Sequence, residues 1–234
     1  MSNVTVQQGH WRGRLSLAVG IMAILLIMML LLKGQHYLWF SFGCLACSIL
    51  PAYWRFEHQQ MGTRLLVFLA VIVALGVLGR VPLAAIPNIQ FTSFVVIVSA
   101  VSLGPELGFV SGSMMALVSN LFLGQGPWTP WQMLAWGLMG LLTGLLQRGH
   151  LKDQLWVMVI WGALWGFWYG WILDLWYALA YVRPLRPASF LLAFASSAVF
   201  DGLHAATNAI SLLLLYRPWR KLMDRLMIKY KILG

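Results

Sequence analysis

The stretch Gly124–Trp136, GQGPWTPWQMLAW, decides how the fold is interpreted, because it joins two apolar segments of helical length and yet contains no charged residue. Three tryptophans, two prolines and two glutamines make it aromatic, polar and conformationally restricted. Solvent-exposed loops of soluble proteins rarely have this composition. We therefore interpret the stretch as a hairpin at one end of a helix bundle, where it would form the mouth of a small-molecule binding site.

The composition of the whole chain places such a bundle in a membrane. Of the 234 residues, 61% are apolar and only 9% are charged, whereas about a quarter of the residues in an ordinary soluble domain are charged. The apolar segments have the length of about 17–25 residues that a transmembrane helix needs. The first of them lacks a small-residue cleavage site, so we expect it to be retained and not removed as a signal peptide.

The apolar segments predict eight helices. Their ranges are 15–32, 37–53, 63–79, 91–103, 107–123, 131–146, 154–181 and 188–216. The range 91–103 is too short to cross a bilayer at about 1.5 Å per residue. We therefore expect protein or a wet cavity to cover the backbone in this part of the chain.

Basic residues predict the orientation of the chain. When both termini are placed in the cytoplasm, twelve of the 16 Lys and Arg residues lie on the inner side, which is the bias typical of membrane proteins. We interpret residues 217–234 as a basic cytoplasmic tail that contacts anionic lipid headgroups or a cytoplasmic partner, and we expect no nucleic-acid binding. The tail contains Arg217, Arg220, Lys221, Arg225, Lys229 and Lys231.

Small residues recur at the four-residue spacing that is typical of closely packed membrane helices. Two stripes are expected to face neighbouring helices of the bundle. They consist of Gly108, Gly112 and Ala116, and of Gly162, Gly166 and Gly170. For Ala70 and Ala74, the spacing leaves open whether they face the bundle or another protein. Cys44 and Cys47 form a C-x-x-C motif, but no further ligands accompany it, so we expect neither a metal nor a redox role.

Polar and aromatic side chains of several segments meet on the predicted outer side and form the candidate ligand site. Those before the last helix are Arg80, Asn88, Gln90, Asn120, Gln125, Trp128, Trp131, Gln132, Trp136, Asp174 and Tyr177. The last helix adds one polar face, which indicates either a functional site or a hydrogen-bonded packing seam. That face contains Ser197, Asp201, His204, Asn208 and Ser211. We expect no metal at Asp201 and His204, because one helix supplies too few ligands.

Several motifs follow one another after residue 63. They are Ala70-x-x-x-Ala74, GRVP at 79–82, IPNIQ at 86–90, LGPELGF at 103–109 and the segment 120–137 around the quoted stretch. In these motifs and in its basic ending, the chain resembles the substrate-binding S component of energy-coupling factor (ECF) transporters. Among S components it is most similar to the group associated with cobalamin uptake. The segment 120–137 is the most specific part of the resemblance.

The resemblance implies an all-α membrane protein with a six-helix S-component bundle at residues 61–216. Residues 1–60 would then be an N-terminal extension with two extra transmembrane helices. The chain would be a multi-pass protein of a prokaryotic plasma membrane with both termini in the cytoplasm.

The resemblance also implies a function. Such a subunit captures a vitamin from outside, with cobalamin as the first candidate, and contacts a transmembrane coupling T subunit through Ala70 and Ala74. Two cytoplasmic ATPases act through that T subunit. The S component itself is not an enzyme and needs no cofactor, and the sequence contains no P-loop motif.

Two other functions stay open. A stand-alone carrier or channel, or a structural membrane subunit, would need a polar route to the inner face, but the inner ends of the helices predicted at 63–79, 107–123 and 131–146 are nearly all apolar. An intramembrane serine protease would need a nucleophile within reach of a histidine. Ser111 and His204 are the obvious pair, although the G-x-S-G pattern is not met.

Overall fold

The computed structural model describes residues 62–147, 154–184 and 186–232, together with positions 43, 46, 49, 50, 53 and 57. The continuous ranges contain six α-helices, which confirms the all-α class and the six-helix bundle. They are α1 (Thr63–Leu78), α2 (Thr92–Leu103), α3 (Pro105–Leu123), α4 (Thr129–Leu146), α5 (Leu155–Tyr181) and α6 (Pro187–Tyr230). A 3₁₀ helix, Val81–Leu83, lies between α1 and α2.

Four segments of the described ranges are long and apolar enough to cross a membrane. They are Thr63–Leu83, Pro105–Leu123, Leu155–Tyr181 and Pro187–Tyr230. The predicted helix 15–32 lies outside the described residues, and so does 37–53 apart from isolated positions. Two of those positions contact the bundle. Ile49 packs against the cluster of Trp131, Leu134 and Leu179, and the Tyr53 hydroxyl lies 3.1 Å from the Ser113 hydroxyl.

The short helix α2 occupies the centre of the bundle. It contacts α1, α3, α4 and α6, while α3 packs along α4 and α5 packs along α6. Of its 12 residues, all but Ser102 are buried. Because protein surrounds it, α2 does not need the length of a transmembrane helix. The expectation that protein covers this part of the chain is confirmed.

Glycines allow the two helix pairs to approach closely. A Cβ at Gly140 would collide with the backbone of Gly108, and a Cβ at Gly112 would collide with the carbonyl of Trp136. Between α5 and α6, a Cβ at Gly166 would collide with the Ala205 backbone. Both predicted stripes therefore face their neighbours inside the bundle, where close backbone contact gains van der Waals energy that lipid cannot match.

The helices alternate in direction, which gives the bundle two distinct ends. The upper end contains Arg80 and the loop between α3 and α4, which closes where the Thr129 hydroxyl accepts a hydrogen bond from the Gly126 N–H at 3.2 Å. The lower end contains Gly104, which has a φ of 86° that favours glycine and connects α2 directly to α3. There Gln147, at the end of α4, contacts Met158 of α5.

The last helix is longer than predicted. It continues from residue 216 through Pro218 to Tyr230, so the first 14 residues of the expected tail are helical. Three contacts hold this extension. Trp219 packs edge-on against Phe94 with ring centroids 5.4 Å apart. Arg220 donates to the Ser102 hydroxyl at 2.8 Å and pairs with Asp224 one turn further on at 2.8 Å.

Candidate functional site

Arg80 is the centre of a polar network at the upper end. It follows α1, and the backbone N–H of Phe91 donates to the Gly79 carbonyl at 2.8 Å, which fixes the connection beside it. Its Nη1 donates to the Ser119 hydroxyl at 2.6 Å and to Asn120 Oδ1 at 2.7 Å, both on α3. The guanidinium carbon lies 4.9 Å from the centre of the Trp136 ring, which is a cation–π distance. Arg80 therefore connects α1 to α3 and α4.

The Asn120 amide carries the network into the loop and α4. Its Nδ2 donates to the Thr129 hydroxyl at 3.0 Å and to Gln132 Oε1 at 2.8 Å. Because Arg80 can only donate, the amide oxygen of Asn120 must face it and the amide nitrogen must face α4. The network thus brings together three of the residues named from the sequence, Arg80, Asn120 and Gln132.

A second chain of hydrogen bonds begins at Trp136 and is fully buried. Trp136 Nε1 donates to the Ser93 hydroxyl of α2 at 3.0 Å, and Ser93 Oγ lies 2.7 Å from His204 Nε2 on α6. The Tyr169 ring contacts Trp136 at 4.8 Å and His204 at 5.1 Å between centroids. With Arg80 above Trp136, this cluster links five of the six described helices or their ends.

A third polar group lies between α5 and α6. Ser197 Oγ is 2.5 Å from Asp174 Oδ2 and 2.9 Å from Asp201 Oδ2. A serine hydroxyl has a single proton, so it cannot donate to both carboxyl groups at once. A proton on one carboxyl group would complete the second hydrogen bond, and it would also relieve the repulsion between the buried Asp201 and the half-buried Asp174.

The remaining predicted residues occupy several environments. Trp128 packs edge-on against Trp176 of α5 at 6.1 Å, and Trp131 is buried in the cluster with Leu134 and Leu179. Gln125 is exposed and donates to the Leu117 carbonyl at 2.9 Å. Tyr177 is 51% exposed on the surface of α5.

Three further predicted residues are at least partly buried. Asn88 adopts a positive φ of 58° in the connection between α1 and α2, a conformation that asparagine tolerates better than most residues. Gln90 is buried at the end of the same connection. Asn208 is fully buried and donates through Nδ2 to the Gly162 carbonyl at 3.0 Å.

The network includes four residues that the sequence did not single out, namely Ser93, Ser119, Thr129 and Tyr169. Serines and threonines are common in membrane helices, where they bond to their own backbone. Ser93 and Ser119 differ because Trp136 and Arg80 contact them from other helices. These contacts between separate segments are visible only in the three-dimensional structure.

The described residues do not form the serine–histidine contact that the protease alternative requires. Ser111 donates to the Gly108 carbonyl of its own helix at 3.1 Å. The hydrogen-bonding partner of His204 Nε2 is Ser93. The pair of Ser111 and His204 that a protease would need is therefore not formed.

The small face of α1 points away from the other described helices. Ala70 and Ala74 are both exposed, and the apolar neighbours Leu66, Val71 and Leu75 are exposed beside them. This face contrasts with the glycine stripes of α3 and α5, which are covered. Ala70 and Ala74 therefore do not face the interior of the six described helices.

A six-helix membrane bundle with a buried polar and aromatic network at one end has the architecture of a small-molecule binding subunit. A family model described as "ECF-type riboflavin transporter, S component" matches residues 62–221. The match covers more than half of the chain, and the chain belongs to this family. The ECF S-component resemblance is thereby confirmed, whereas the cobalamin-type subgroup is not, because the family description names riboflavin. No curated protein and no solved structure matches the chain.

Proposed function

We propose that the chain captures a vitamin with a flat polycyclic ring system and delivers it to an ECF-type importer. Riboflavin is the first candidate ligand, because the family description names it. Cobalamin, the expectation from the sequence, stays as the second candidate. The ligand would enter at the upper end of the bundle, which faces outward if the basic residues at the lower end lie in the cytoplasm.

The observation that carries this proposal is the environment of Arg80. Its hydrogen-bond acceptors, Ser119 and Asn120, are neutral, and no carboxylate among the described residues lies within ion-pair distance. A half-buried cation without a counter-ion is costly, and residues of this kind inside membrane proteins are usually functional. The guanidinium has five N–H donors. Those that do not bond to α3 suit a ligand rich in carbonyl and hydroxyl oxygens.

The aromatic rings next to Arg80 would provide a stacking surface for the ring system of such a ligand. Trp136 and Tyr169 lie beside the guanidinium, and Trp128 lies in the loop at the same end. Flat rings stack well on tryptophan and tyrosine. Cation, amide and aromatic groups together favour a ring compound with polar edges over a simple ion.

The exposed face of α1 supports the proposed coupling. Ala70 and Ala74 expose backbone without bulky side chains, so that a helix of another membrane protein can approach closely. We assign this face to the transmembrane coupling T subunit, through which two cytoplasmic ATPases act. The chain itself would bind and release the vitamin without hydrolysing anything.

Ligand binding to the purified protein tests the proposal. Mass spectrometry of copurifying small molecules identifies a ligand without bias, and titration with riboflavin and with cobalamin compares the two candidates. Arg80→Ala should weaken binding of the correct vitamin by about tenfold or more, because it removes charge-assisted donors. Trp128→Ala and Gln132→Ala should also weaken binding while the protein remains folded.

A control variant shows whether a loss of affinity is specific to the site. Thr207→Ala removes a hydroxyl that bonds only within α6, to the Leu203 carbonyl, and should leave the affinity unchanged. The proposal fails if the purified protein binds no vitamin. It also fails if Arg80→Ala and Thr207→Ala have the same affinity as the unmodified chain.

A further inference from the structure

The extension of α6 beyond residue 216 exposes a stripe of basic side chains. They recur every four positions, so they lie along one side of the helix. The basic stripe consists of Arg217, Lys221, Arg225 and Lys229, all of them exposed. Asp224, the only acidic residue after position 216, pairs with Arg220, and no member of the stripe pairs with a carboxylate among the described residues. Like charges four residues apart on a helix repel one another, so the stripe favours an anionic partner.

The opposite side of the same segment packs against the bundle. Met223 is buried, and Trp219 and Met227 are partly buried in the large apolar cluster of the core. Leu65 and Phe68, in the first turns of α1, pack against the same cluster. The extension therefore runs along the bundle with its basic side turned outward.

The end of α6 lies level with the beginning of α1. Arg64 Nη1 donates to the Tyr230 carbonyl at 3.4 Å, and the apolar segment that can cross the membrane begins next to Arg64, at Thr63. The contact places the end of α6 at the lower edge of that apolar segment. Lysine and arginine side chains near the end of a membrane helix extend to the membrane surface at this depth.

Further up, the same side of α6 is apolar. Ile210 and Leu214 are 57% and 65% exposed, and steps of four, three and four residues lead from Ile210 through Leu214 to the stripe. An exposed apolar surface on a membrane helix is a surface for lipid. One side of one helix thus changes from apolar to basic near the lower edge, which is the change expected where hydrocarbon meets headgroups.

We propose that the basic stripe binds the headgroups of anionic phospholipids in the leaflet at the lower end of the bundle. The sequence left open whether the basic tail meets lipid or a cytoplasmic partner, and the continuity with the apolar side of α6 favours lipid. Each lysine or arginine near an anionic lipid surface adds to the attraction. Leu222 and Ile228, 48% and 79% exposed beside the stripe, enter the boundary between headgroups and acyl chains. The inference does not depend on which vitamin is bound.

Competition between two lipids tests the inference. The purified chain in detergent is offered equal amounts of phosphatidylglycerol, which is anionic, and phosphatidylcholine, which is neutral overall, with identical acyl chains. Native mass spectrometry then counts the bound molecules of each lipid. The unmodified chain should bind phosphatidylglycerol at least about tenfold more tightly than phosphatidylcholine, because several cations face one anionic headgroup layer.

Removing the charges of the stripe should abolish this preference. Glutamine has nearly the helix propensity of lysine and arginine, so the helix is retained, and thermal unfolding in detergent checks the fold. The affinities for the two lipids should then agree within about twofold. The variant combines Arg217→Gln, Lys221→Gln, Arg225→Gln and Lys229→Gln.

A smaller variant keeps the test valid if the fourfold change does not fold. Arg217→Gln combined with Arg225→Gln should lower the preference for phosphatidylglycerol severalfold, because half of the stripe is neutral. Arg183→Gln combined with Arg186→Gln is the matched control. It removes two exposed arginines at the upper end and should leave the preference unchanged.

Three results would contradict the inference. One is a chain that does not prefer phosphatidylglycerol, or that keeps its preference when the stripe is neutral. Another is an equal loss of preference from the control pair, which would mean that overall charge and not the stripe attracts the lipid. The third is a neutral stripe that leaves lipid binding unchanged but prevents assembly with the T subunit and the ATPases, because the stripe would then bind protein.

Discussion

The small-residue stripes of α1 and α5 have the same spacing but opposite surroundings. On α5, Gly162, Gly166 and Gly170 face α6, and a Cβ at any of them would collide with it. On α1, Ala70 and Ala74 are exposed. The spacing of small residues therefore shows that another helix can approach closely, but it does not show whether that helix belongs to the same bundle or to another protein. The α5 stripe lies against α6, whereas no other described helix covers the α1 stripe.

The largest expected effect is at the centre of the α5 stripe. Gly166→Leu would place a branched side chain against the backbone of Ala205, which cannot move as a side chain can. We expect the bundle to lose more than about 3 kcal/mol of stability. Thermal unfolding and size-exclusion chromatography in detergent measure this loss. Gly202→Leu on α6 is the control, because a Cβ there meets nothing within 4 Å.

If Gly166→Leu and Gly202→Leu gave equally stable and monodisperse protein, α5 and α6 would not pack as described. The contrast between the two stripes would then disappear.

The next effect concerns coupling and not folding. Ala70→Leu adds bulk to a face that no described helix covers, so stability and vitamin binding should stay unchanged. Uptake should fall by roughly tenfold to a hundredfold, because overpacking a close helix contact costs about 1–3 kcal/mol. Uptake by cells that also produce the T subunit and the ATPases measures it. Ala206→Leu, at an exposed alanine of α6, is the control.

Unchanged uptake with Ala70→Leu would show that α1 does not contact the T subunit. A loss of vitamin binding in the same variant would show that the α1 face belongs to the interior.

A smaller effect is expected at the upper end of the α5 stripe. A Cβ at Gly170 meets the Asp201 carboxylate, which is a side chain and can rotate away. Gly170→Ala should therefore cost about 1–2 kcal/mol. Combining it with Asp201→Ala should cost less than the sum of the two single changes, because the truncated side chain leaves room. Thermal unfolding of all three variants measures this coupling, and strict additivity would contradict the contact.

The smallest effect is expected from Ala74→Gly. The change removes one methyl group from an exposed position and lowers helix propensity by about 0.5–1 kcal/mol. Close approach to the helix stays possible, so uptake should remain within about twofold of the unmodified chain. Uptake assays that compare Ala74→Gly with Ala70→Leu check whether the α1 face requires small side chains in general and not alanine in particular.

The positions of the six helices could be predicted from apolar length and from glycine and proline at their ends. The observed α2 and α3 begin within two residues of the predicted starts. The end of α6 could not be predicted, because Pro218 and a basic cluster usually indicate that a membrane helix has ended. Packing of Trp219 on Phe94 and the Arg220 contact with Ser102 keep the chain helical.

The candidate site could be predicted only in part. Asn120 and Gln132 could be identified from the sequence, because amide side chains are rare in apolar helices. Ser93 and Tyr169 have no such signal, because serine and tyrosine are ordinary in helices of this kind. Conversely, Tyr177 lies at the same depth as expected but on the exposed side of α5. The height of a residue along a helix follows from its position in the sequence. Which side of the helix faces the bundle depends on packing, and α5 has aromatic residues on all sides, so its sequence does not indicate that side.

The length of α6 has a mechanical consequence. Its 44 residues span about 66 Å, roughly twice the hydrocarbon thickness of a bilayer. His204 and the basic residues after 216 are therefore parts of one continuous helix, so a tilt imposed at its charged end would also move the end near the proposed vitamin site. Pro218 removes one backbone hydrogen bond and is the point where this lever bends most easily.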